Sequence, residues 1–550
     1  MEKLWLEKSY PSDIPHEINA DKYTSLAEIF QTYTTKHSSK VAYINMGQEL
    51  TYRELHTQAM VFASYLQNEL GLQKGDKFAI MIPNCLQYPI ALFGALIAGL
   101  TVVNVNPLYT ARELEHQLKD SEAKAIIIVE NFASTLEKVI YRTPIKHTIL
   151  TQLGDCLGPV KGTMVNLAVK YVKKMVPPFK MPKAKSFKRA MALGARSPFK
   201  HVDITGDDLA FLQYTGGTTG VAKGAMLSHR NMVANINQAK AMLTPIFIEG
   251  EELIVTALPL YHIFALTANC LMFLTLGAKN LLITNPRDMK GFVNELSKYP
   301  FTAMSGVNTL FNGLLNTPEF SRLDFSTLKL ALGGGMSVHK SVADKWLQVT
   351  KTCLLEGYGL TETSPIVTVC PYYQDSYNGS IGMPVPSTEI KLIKDDGTEC
   401  EVGEKGELWV KGPQVMQGYY KREEATAEVI KDGWLATGDI ATMDEFGLFR
   451  IVDRKKDMIN VSGFNVFPNE IEEVITQMND VVEAAAIGVP HPVSGETIKV
   501  FVVVNNGVRE KDIIAHCKQH LTNYKVPKLI EFRDELPKSN VGKILRKDLR

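Results

Sequence analysis

The sequence has few cysteines and no excess of charge of either sign. Its 550 residues contain seven cysteines, which are scattered and form no Cys-x-x-Cys pair. A disulfide framework or a structural zinc site requires closer spacing, so both are excluded and a reducing compartment is favoured. Sixty Lys and Arg residues balance fifty-nine Asp and Glu residues, which gives a net charge of +1. A protein that binds nucleic acid through bulk charge needs a basic excess, so no nucleic-acid partner is expected.

Long hydrophobic runs are also missing. The longest apolar stretch, residues 90–103, has fourteen residues and contains two glycines. A membrane-spanning helix needs about twenty apolar residues, so this stretch predicts a buried helix that runs into a strand. The first 23 residues lack the apolar segment of a signal peptide. A cytoplasmic protein is therefore expected.

Short apolar runs alternate with amphipathic stretches from Lys77 onward. Helical patterns occupy residues 89–97 and 112–120. Candidate strands rich in apolar residues lie at residues 78–82, 101–105, 125–129, 253–257, 280–284 and 328–332. Buried strands separated by helices are typical of βαβ units, in which helices cover both faces of a sheet. The sequence therefore predicts an α/β fold with two sheet layers.

The pattern changes after Gly379, where turns become frequent between short strands. The turn signals are Asp396-Gly397, Val402-Gly403, Lys405-Gly406, Asp432-Gly433 and Phe446-Gly447. Turns at this density predict a small antiparallel barrel or sheet, and we expect a small β-barrel. Five consecutive charged residues follow at 453–457. We place the main boundary there, between a body of residues 1–455 and a C-terminal domain of residues 456–550.

Residues 456–550 have the pattern of a small α+β domain. Asn469 is expected to cap a helix. The apolar residues that follow it at helical spacing are Ile471, Val474, Ile475 and Met478. Strands are predicted at residues 484–489 and 498–504, and a second helix at residues 512–521.

One segment departs from the balanced charge of the chain. No Asp or Glu occurs between Asp155 and Asp203, whereas this interval contains eleven Lys and Arg residues. Apolar side chains alternate with these bases between residues 172 and 187. Such a composition is expected of a segment that binds an anionic bilayer surface, and equally of a solvated loop. The sequence leaves both interpretations open.

The clearest chemical pattern is YTGGTTGVAKG at residues 214–224. Glycines let backbone N–H groups approach an anion closely, threonine hydroxyls add donors, and Lys223 adds charge. The stretch is not a Walker A loop, because no glycine lies five residues before a Gly-Lys-Ser/Thr. Residues 211–213 run into it like a buried strand. The pattern therefore predicts a phosphate-binding loop.

This stretch resembles the phosphate-binding signature of the adenylate-forming superfamily, which includes acyl-CoA synthetases, luciferases and adenylation domains of peptide synthetases. Further matching motifs follow in the superfamily's order: LPLYH at 258–262, GGG at 333–335, YGLTET at 358–363, GWLATGD at 433–439, DRKKD at 453–457, VSG at 461–463 and PKSNVGK at 537–543. The resemblance extends over the whole chain and is closest to the bacterial long-chain fatty-acid–CoA ligases. It implies that residues 456–550 form a mobile lid on the body.

The resemblance implies two half-reactions, with ATP, CoA and a fatty acid as substrates and Mg²⁺ as the metal. The fatty-acid carboxylate attacks the α-phosphate of ATP, which gives acyl-AMP and pyrophosphate. The CoA thiol then displaces AMP and forms the thioester. Joining two anions requires a site that holds charge and geometry instead of supplying a nucleophile. No Ser-His-Asp triad is therefore expected.

The resemblance also implies roles for individual residues at the nucleotide. Glu362 would bind magnesium, Tyr358 would stack on adenine, and Asp439 would accept hydrogen bonds from both ribose hydroxyls. Arg454 would contact the ribose or a phosphate. The predicted nucleotide- and CoA-binding residues are Tyr214, Thr215, Gly216, Gly217, Thr218, Thr219, Gly220, Lys223, Gly333, Gly334, Gly335, Tyr358, Gly359, Thr361, Asp439, Arg454 and Gly463.

The predicted catalytic residues are Lys543, Glu362, Thr215 and His262. By resemblance, Lys543 bridges the carboxylate and the α-phosphate. His262 has two open interpretations, as a packed core residue or as a gate for the acyl group.

The resemblance also implies a role for one glycine in thioester formation, and this sequence differs from the superfamily's motifs at two positions. Gly463 corresponds to the glycine that the pantetheine arm of CoA passes. Gly216 stands where most relatives carry serine, and Ala436 where fatty-acyl relatives often carry histidine. The first departure removes one hydroxyl that could donate a hydrogen bond to phosphate. The second leaves no histidine to play the role that it has in those relatives.

Two alternatives to a CoA ligase remain. An acyl-AMP ligase would pass its acyl group to a carrier protein. The chain ends seven residues after Lys543, which leaves no room for a fused carrier but does not exclude a free one. A catalytically inactive scaffold is the other alternative, and retention of Lys223, Glu362, Asp439 and Lys543 argues against it. By resemblance we also expect rotation of the lid about Lys456 and a possible homodimer. From the basic segment, residues 161–200, we expect reversible association with the cytoplasmic face of the inner membrane.

Overall fold

The computed structural model describes residues 3–215, 222–462, 464–491, 494–505, 507–539 and 542–550. Six of the predicted site residues lie outside the described residues: Gly216, Gly217, Thr218, Thr219, Gly220 and Gly463. The described residues form four sheets with helices packed against them. The predicted α/β fold is confirmed.

The largest sheet has nine strands. Its central strands are parallel, and antiparallel strands lie at both edges. In spatial order the strands are Met383–Pro384, Ile366–Val369, Leu354–Gly359, Leu330–Gly333, Ala303–Gly306, Leu253–Thr256, Lys279–Leu282, Val41–Asn45 and Gln48–Thr51. The strands predicted at 253–257, 280–284 and 328–332 fall within this sheet, each displaced by at most two residues.

The second sheet has seven strands and contains the start of the phosphate-loop motif. Five neighbouring pairs are parallel, and the last pair is antiparallel. In spatial order the strands are Lys185–Ser186, His147–Thr151, Ala125–Val129, Lys77–Met81, Thr101–Asn104, Leu209–Thr215 and Lys223–Ser228. Strand Ala125–Val129 has the predicted bounds and is fully buried. The antiparallel pair brings Thr215 opposite Lys223 across the motif.

Helices cover both faces of these sheets. The longer ones are Leu26–Lys36, Tyr52–Ser64, Gln87–Ile97, Ala111–Asp120, Pro159–Leu167, Phe187–Gly194, His229–Leu243, Met289–Leu296, Asn308–Leu315 and Lys340–Thr350, with a π-helical segment at Ala265–Met272. Gln87–Ile97 is buried along almost its whole length and leads into strand Thr101–Asn104. The fourteen-residue apolar run is therefore a core helix and a strand, as predicted. No helix among the described residues is long and apolar enough to cross a membrane.

The third sheet has five antiparallel strands. They are Glu389–Ile393, Gly406–Lys411, Trp434–Met443 and Ile430–Lys431 in spatial order, and Phe449–Arg454 also pairs with Trp434–Met443. Helix Glu423–Val429 lies between two of them in sequence. The predicted antiparallel pairing is present, but no pairing among the described residues closes the sheet. The expected β-barrel is therefore an open sheet.

The fourth sheet belongs to the C-terminal region. Its strands are Phe464–Val466, Ile459–Val461, Gly495–Val504 and Val481–His491, and Leu529–Phe532 pairs with Gly495–Val504. Helices Pro468–Thr476 and Glu510–His520 pack on it through a separate apolar core. A short helical turn, Lys455–Asp457, connects the third sheet to this region.

The predicted cap of the first C-terminal helix is wrong. Phe467 occupies the cap position without a side-chain hydrogen bond, and Pro468 is the first helical residue. Proline is favoured there because its missing N–H would have no partner in the helix. Asn469 therefore lies inside the first turn, where its backbone N–H donates to Asp453 Oδ2 at 2.8 Å.

Candidate active site

The glycine motifs lie where parallel strands of the nine-stranded sheet end. Gly333 ends strand Leu330–Gly333, and Gly359 ends strand Leu354–Gly359. The carboxyl ends of parallel strands are the usual place for ligands in such sheets. The N–H of Gly334 donates to the carbonyl of Gly306 at 3.1 Å, which joins two neighbouring strand ends.

Three of these glycines have local reasons for lacking a side chain. A Cβ at Gly359 would collide with the backbone of Pro365, and a Cβ at Gly334 would lie 3.0 Å from the Gly357 carbonyl oxygen. Gly335 has φ +77°, a conformation that other residues rarely adopt. The glycines therefore allow close packing of the strand ends around the motif.

Tyr358, Asp439 and Arg454 meet at the edge of this site. The Tyr358 hydroxyl donates to Asp439 Oδ2 at 2.6 Å, and Arg454 Nε lies 3.5 Å from Asp439 Oδ1. Asp439 and Arg454 are opposite each other on neighbouring strands of the third sheet. Burial and the negative charge of Asp439 raise the pKa of the Tyr358 hydroxyl. Asp439 is thus a carboxylate held in place by a hydroxyl, a guanidinium and its own strand.

Glu362 and Lys223 both contact Tyr419, a residue that is absent from the predicted site. Glu362 lies in the short helical turn Thr361–Thr363. Its Oε1 accepts the Tyr419 hydroxyl at 2.7 Å, and its backbone carbonyl accepts the N–H of Met416 at 2.8 Å. Lys223 Nζ lies 5.0 Å from the centre of the Tyr419 ring. One aromatic side chain therefore connects the predicted phosphate lysine to the predicted magnesium carboxylate.

Lys543 reaches this site from the C-terminal region. The Thr309 hydroxyl of the body donates to the carbonyl of Gly542 at 3.3 Å. Burial and, next to it, the charge of Arg454 lower the pKa of Lys543 to about 7, although Asp439 opposes the change. A Lys ammonium with a pKa near neutrality is a feature of functional sites, since the ion is held among other charges out of water.

His262 is the other predicted catalytic residue whose pKa is strongly lowered. Burial lowers the pKa of His262 to about 4, and the charge of Lys543 contributes. The backbone N–H of Phe264 points at its Nδ1 across 3.4 Å. The charge of the predicted adenylation lysine therefore acts on His262, and the lowered pKa favours the neutral imidazole at physiological pH.

Two predicted residues have other surroundings. The Tyr214 side chain is buried, and its hydroxyl donates to Asp120 Oδ2 at 2.7 Å, in helix Ala111–Asp120. Its contacts are therefore structural, at the beginning of the loop motif. The backbone carbonyl of Thr361 accepts the N–H of Ser364 at 3.4 Å, within the turn that contains Glu362.

Magnesium fits this site as an ion that arrives with a nucleotide. Among the described residues, no group of three His, Cys, Asp or Glu side chains could hold a metal ion. Magnesium is usually bound by one or two carboxylates together with phosphate oxygens and water. Glu362 supplies one such carboxylate, with Tyr419 holding one of its oxygens.

Sequence reasoning missed Tyr419, Thr309, Asp453 as a contact residue and Arg546. Tyr419 is 57 residues from Glu362, and Thr309 is 233 residues from Gly542. Neither lies in a quoted motif. The only local signal was the Gly-Tyr-Tyr sequence at 418–420, which has no chemical meaning without its partners.

Comparison with known proteins agrees with this geometry. The family model of AMP-binding enzymes matches residues 30–420, and that of the AMP-binding enzyme C-terminal domain matches residues 470–543. The chain is 61% identical to a long-chain-fatty-acid–CoA ligase of Yersinia pestis over 551 aligned positions, which cover 100% of this chain and 98% of the relative. Its identity to the ligases of the same name from Haemophilus influenzae and Bacillus subtilis is 58% and 38%, with the same coverage.

Solved structures share the architecture. The anthranilate CoA ligase AuaEII in complex with anthranoyl-AMP aligns with a TM-score of 0.86 at 23% identity, covering 97% of this chain and 98% of that one. A benzoate CoA ligase from Burkholderia xenovorans LB400 aligns with a TM-score of 0.82 at 25% identity, covering 96% and 100%. The matched models, the full-length relatives and the shared fold together show that the chain belongs to the AMP-binding enzyme family, the adenylate-forming superfamily, and within it to the bacterial long-chain-fatty-acid–CoA ligases.

Proposed function

We infer that the protein is an AMP-forming long-chain fatty-acid–CoA ligase that supplies acyl-CoA for β-oxidation and lipid metabolism. It converts a fatty acid, ATP and CoA into acyl-CoA, AMP and pyrophosphate through an acyl-AMP intermediate. The observation that supports this inference is the hydrogen bond from Thr309 to Gly542, which holds the buried Lys543 against the body, where the charges of Asp439 and Arg454 act on it. These groups supply a cation and an oriented carboxylate where two anions have to react.

The residues perform the first half-reaction by holding charge. Asp439 binds the ribose, and Lys543 places its ammonium between the fatty-acid carboxylate and the α-phosphate. Glu362 is the carboxylate that would hold magnesium, which would neutralise phosphate charge when bound. Lys223 adds a second cation at the phosphates. In a water-poor site such fixed charges stabilise the transition state strongly, because they need no reorganisation.

A series of fatty acids tests the function. Purified protein is assayed with ATP, Mg²⁺, CoA and saturated acids from C6 to C18, and the products AMP, pyrophosphate and acyl-CoA are measured together. We expect all three products in equal amounts and the highest kcat/KM with long chains. Comparison of CoA with a phosphopantetheinylated carrier protein as acceptor tests the acyl-AMP ligase alternative. A preference for the carrier would overturn the CoA ligase assignment.

The two half-reactions require two positions of the C-terminal region. Lys543 serves adenylation and Gly463 serves thioester formation, yet both follow Lys456 in sequence. We propose that residues 456–550 rotate on the body about Lys456, in the short turn between the third and fourth sheets. A few dihedral angles at such a junction can absorb a large rotation.

Variants at the two positions test the rotation. Lys543→Ala should abolish acyl-AMP formation and leave thioester synthesis from supplied acyl-AMP intact. Gly463→Leu should do the reverse, because a side chain obstructs the pantetheine path. Equal loss of both half-reactions in both folded variants would contradict the two-position mechanism.

We further propose that residues 159–175 dock the enzyme reversibly on the cytoplasmic face of the inner membrane. The segment is not a loop, because it forms helix Pro159–Leu167 and the π-helical turn Ala168–Val172. Gly162 packs against the backbone of Gly154. The apolar side chains that are more than half exposed are Val160, Met164, Leu167, Tyr171, Val172 and Met175. Most of them recur at helical spacing, which gives one apolar stripe beside lysines.

Such a stripe with basic neighbours suits an anionic bilayer, since each Lys or Arg near the surface contributes about 1 kcal/mol. Sedimentation with anionic vesicles should fall when Lys170, Lys173 and Lys174 are changed to Gln, or when Met164 and Val172 are changed to Ser. Lys340→Gln and Lys345→Gln provide a matched control on another helix. Unchanged sedimentation of the first set would contradict the proposal. A homodimer stays a prediction from the resemblance, which light scattering of the purified protein would test.

A further inference from the structure

A buried carboxylate lies at the junction between the body and the C-terminal region. Asp453 is the residue before Arg454 in strand Phe449–Arg454, and 1% of its side chain is exposed. Its Oδ2 accepts the backbone N–H of Asn469 at 2.8 Å, and its Oδ1 lies 3.5 Å from Arg546 Nη1. Asp453 pairs within the third sheet, opposite Ile440. Asn469 and Arg546 follow Lys456, so these contacts join the two regions.

Arg546 has its other contacts within the C-terminal region. Its guanidinium donates to both carboxylate oxygens of Glu472 at 2.8–3.1 Å and to Asn469 Oδ1 at 2.6 Å. Asp457 Oδ2 lies 3.6 Å from its Nη1. Among the described contacts of this guanidinium, Asp453 is the partner that precedes Lys456. The remaining contacts would move together with Arg546 if the region rotated.

Arg546 also follows directly on the turn that presents Lys543. In this turn the N–H of Ser539 donates to the Lys543 carbonyl at 2.7 Å, and the N–H of Lys543 donates to Ser539 Oγ at 3.1 Å. The N–H of Leu545 donates to the Pro537 carbonyl at 2.8 Å. These hydrogen bonds connect residues 537 and 539 to residues 543 and 545. Arg546, which contacts Asp453, is the next residue after Leu545.

The two contacts of Asp453 depend on the position of the C-terminal region. Burial raises the pKa of Asp453 to about 6, whereas Arg546 and the Asn469 N–H counteract that rise. A buried carboxylate without partners is costly. Rotation about Lys456 would remove both partners at once, so the contacts stabilise one position of the region and not the other. A difference of this kind shifts the equilibrium between two conformations.

We propose that Asp453 is a positioning residue that holds the C-terminal region in the adenylation position through Asn469 and Arg546, and thereby divides the enzyme between its two half-reactions. Asp453 acts through Lys543 and touches no substrate. This inference rests on the proposed function, since it requires two half-reactions with two positions of the region. It adds a contact that is present in one position and has to break for the other.

Asp453→Asn tests the inference, because it removes the charge and keeps the shape. Asp457→Asn is the matched control, since Asp457 approaches the same guanidinium from the C-terminal side of Lys456. Acyl-AMP formation is measured by ATP–pyrophosphate exchange, and thioester synthesis is measured from supplied acyl-AMP and CoA. We expect Asp453→Asn to slow the first by about tenfold, as for a lost charged hydrogen bond, with the second unchanged or faster. Asp457→Asn should change both by the same small factor.

The results of these assays separate a failure of the positioning role of Asp453 from a failure of the proposed function. Equal slowing of both half-reactions in a folded Asp453→Asn protein, or the same ratio of rates as in Asp457→Asn, would overturn the positioning role. If Asp453→Asn does not fold, Asp453→Ser, which is smaller and uncharged, serves the same comparison. Failure of the unmodified protein to exchange pyrophosphate with any fatty acid would instead overturn the proposed function. The two failures are therefore distinguishable.

Discussion

The body and the C-terminal region hold their site residues in different ways. In the body, Asp439 and Tyr358 lie on strands whose backbone hydrogen bonds fix them, and Glu362 is held by a backbone contact as well as by Tyr419. In the C-terminal region, Lys543 follows Gly542, whose carbonyl accepts a hydrogen bond from the Thr309 hydroxyl of the body at 3.3 Å, the hydrogen bond that joins the described part of this turn to the body.

This difference indicates a division of labour. In the proposed function, residues on the sheets bind the AMP part, which is present in ATP and in acyl-AMP alike. Residues of the C-terminal region contact the body through few, polar and separable contacts. Such contacts are appropriate for a region that has to leave. Changes to the predicted nucleotide-binding residues of the body, such as Asp439, should therefore affect both half-reactions, whereas changes to Lys543 or Gly463 should affect one.

The largest effect is expected from a body residue. Asp439→Ala removes the predicted ribose acceptor and leaves Tyr358 and Arg454 without their shared partner. We expect the KM for ATP in pyrophosphate exchange to rise about 100-fold, since hydrogen bonds to charged groups contribute about 1.5–3 kcal/mol each. Thioester synthesis from acyl-AMP should suffer similarly. Asp203→Ala, an exposed carboxylate far from the motifs, should change neither. If Asp439→Ala lost only one half-reaction, Asp439 would not serve both, and the proposed difference between the body and the C-terminal region would be wrong.

The pH dependence of the two half-reactions should sharpen the comparison between the body and the C-terminal region. The pKa of Lys543 is lowered to about 7, and the protonated form is the one that can bridge two anions. The kcat/KM for adenylation reports the free enzyme, so it should fall about tenfold per pH unit as the pH rises above that value. Thioester synthesis should instead rise with pH, because a free thiol has a pKa of about 8.5.

Two controls accompany the pH profiles. His262 does not produce the fall, because its pKa is lowered to about 4 and it stays neutral in this range. Lys543→Ala should have a low adenylation rate with no fall above pH 7. If that fall persists in the variant, a different group titrates and the role of Lys543 as the pH-dependent cation is wrong.

The smallest effect is expected from the aromatic link between Lys223 and Glu362. Tyr419→Phe removes the 2.7 Å hydrogen bond to Glu362 and keeps the ring under Lys223. We expect the Kd for Mg·ATP, measured by calorimetry, to rise about fivefold, which corresponds to about 1 kcal/mol, the typical net contribution of one hydrogen bond. Tyr420→Phe is the matched control, because its hydroxyl bonds Glu122 at an exposed position. Equal effects of both variants would contradict a role for Tyr419.

Much of the fold could be predicted because it is encoded locally. Strand Ala125–Val129 and helix Gln87–Ile97 were visible as a β-branched run and as an apolar stretch. The errors have local causes too. Asn469 has the composition of a cap, but Pro468 before it takes the first helical position and Asp453 binds its N–H. The barrel was expected from turn spacing, which determines that strands pair and not whether the sheet closes.

The sequence by itself determined the motifs, the strand and helix periodicities and the family resemblance, because each depends on residues that are near one another in the chain. Only the tertiary structure decided which of them meet. Tyr419 contacts Glu362, Thr309 contacts Gly542, and Asp453 contacts Arg546 across separations of 57, 233 and 93 residues. No local pattern encodes such pairs, since sheet order and the packing of the C-terminal region bring them together. The physical consequence is that the charges of this site act on each other only in the folded chain.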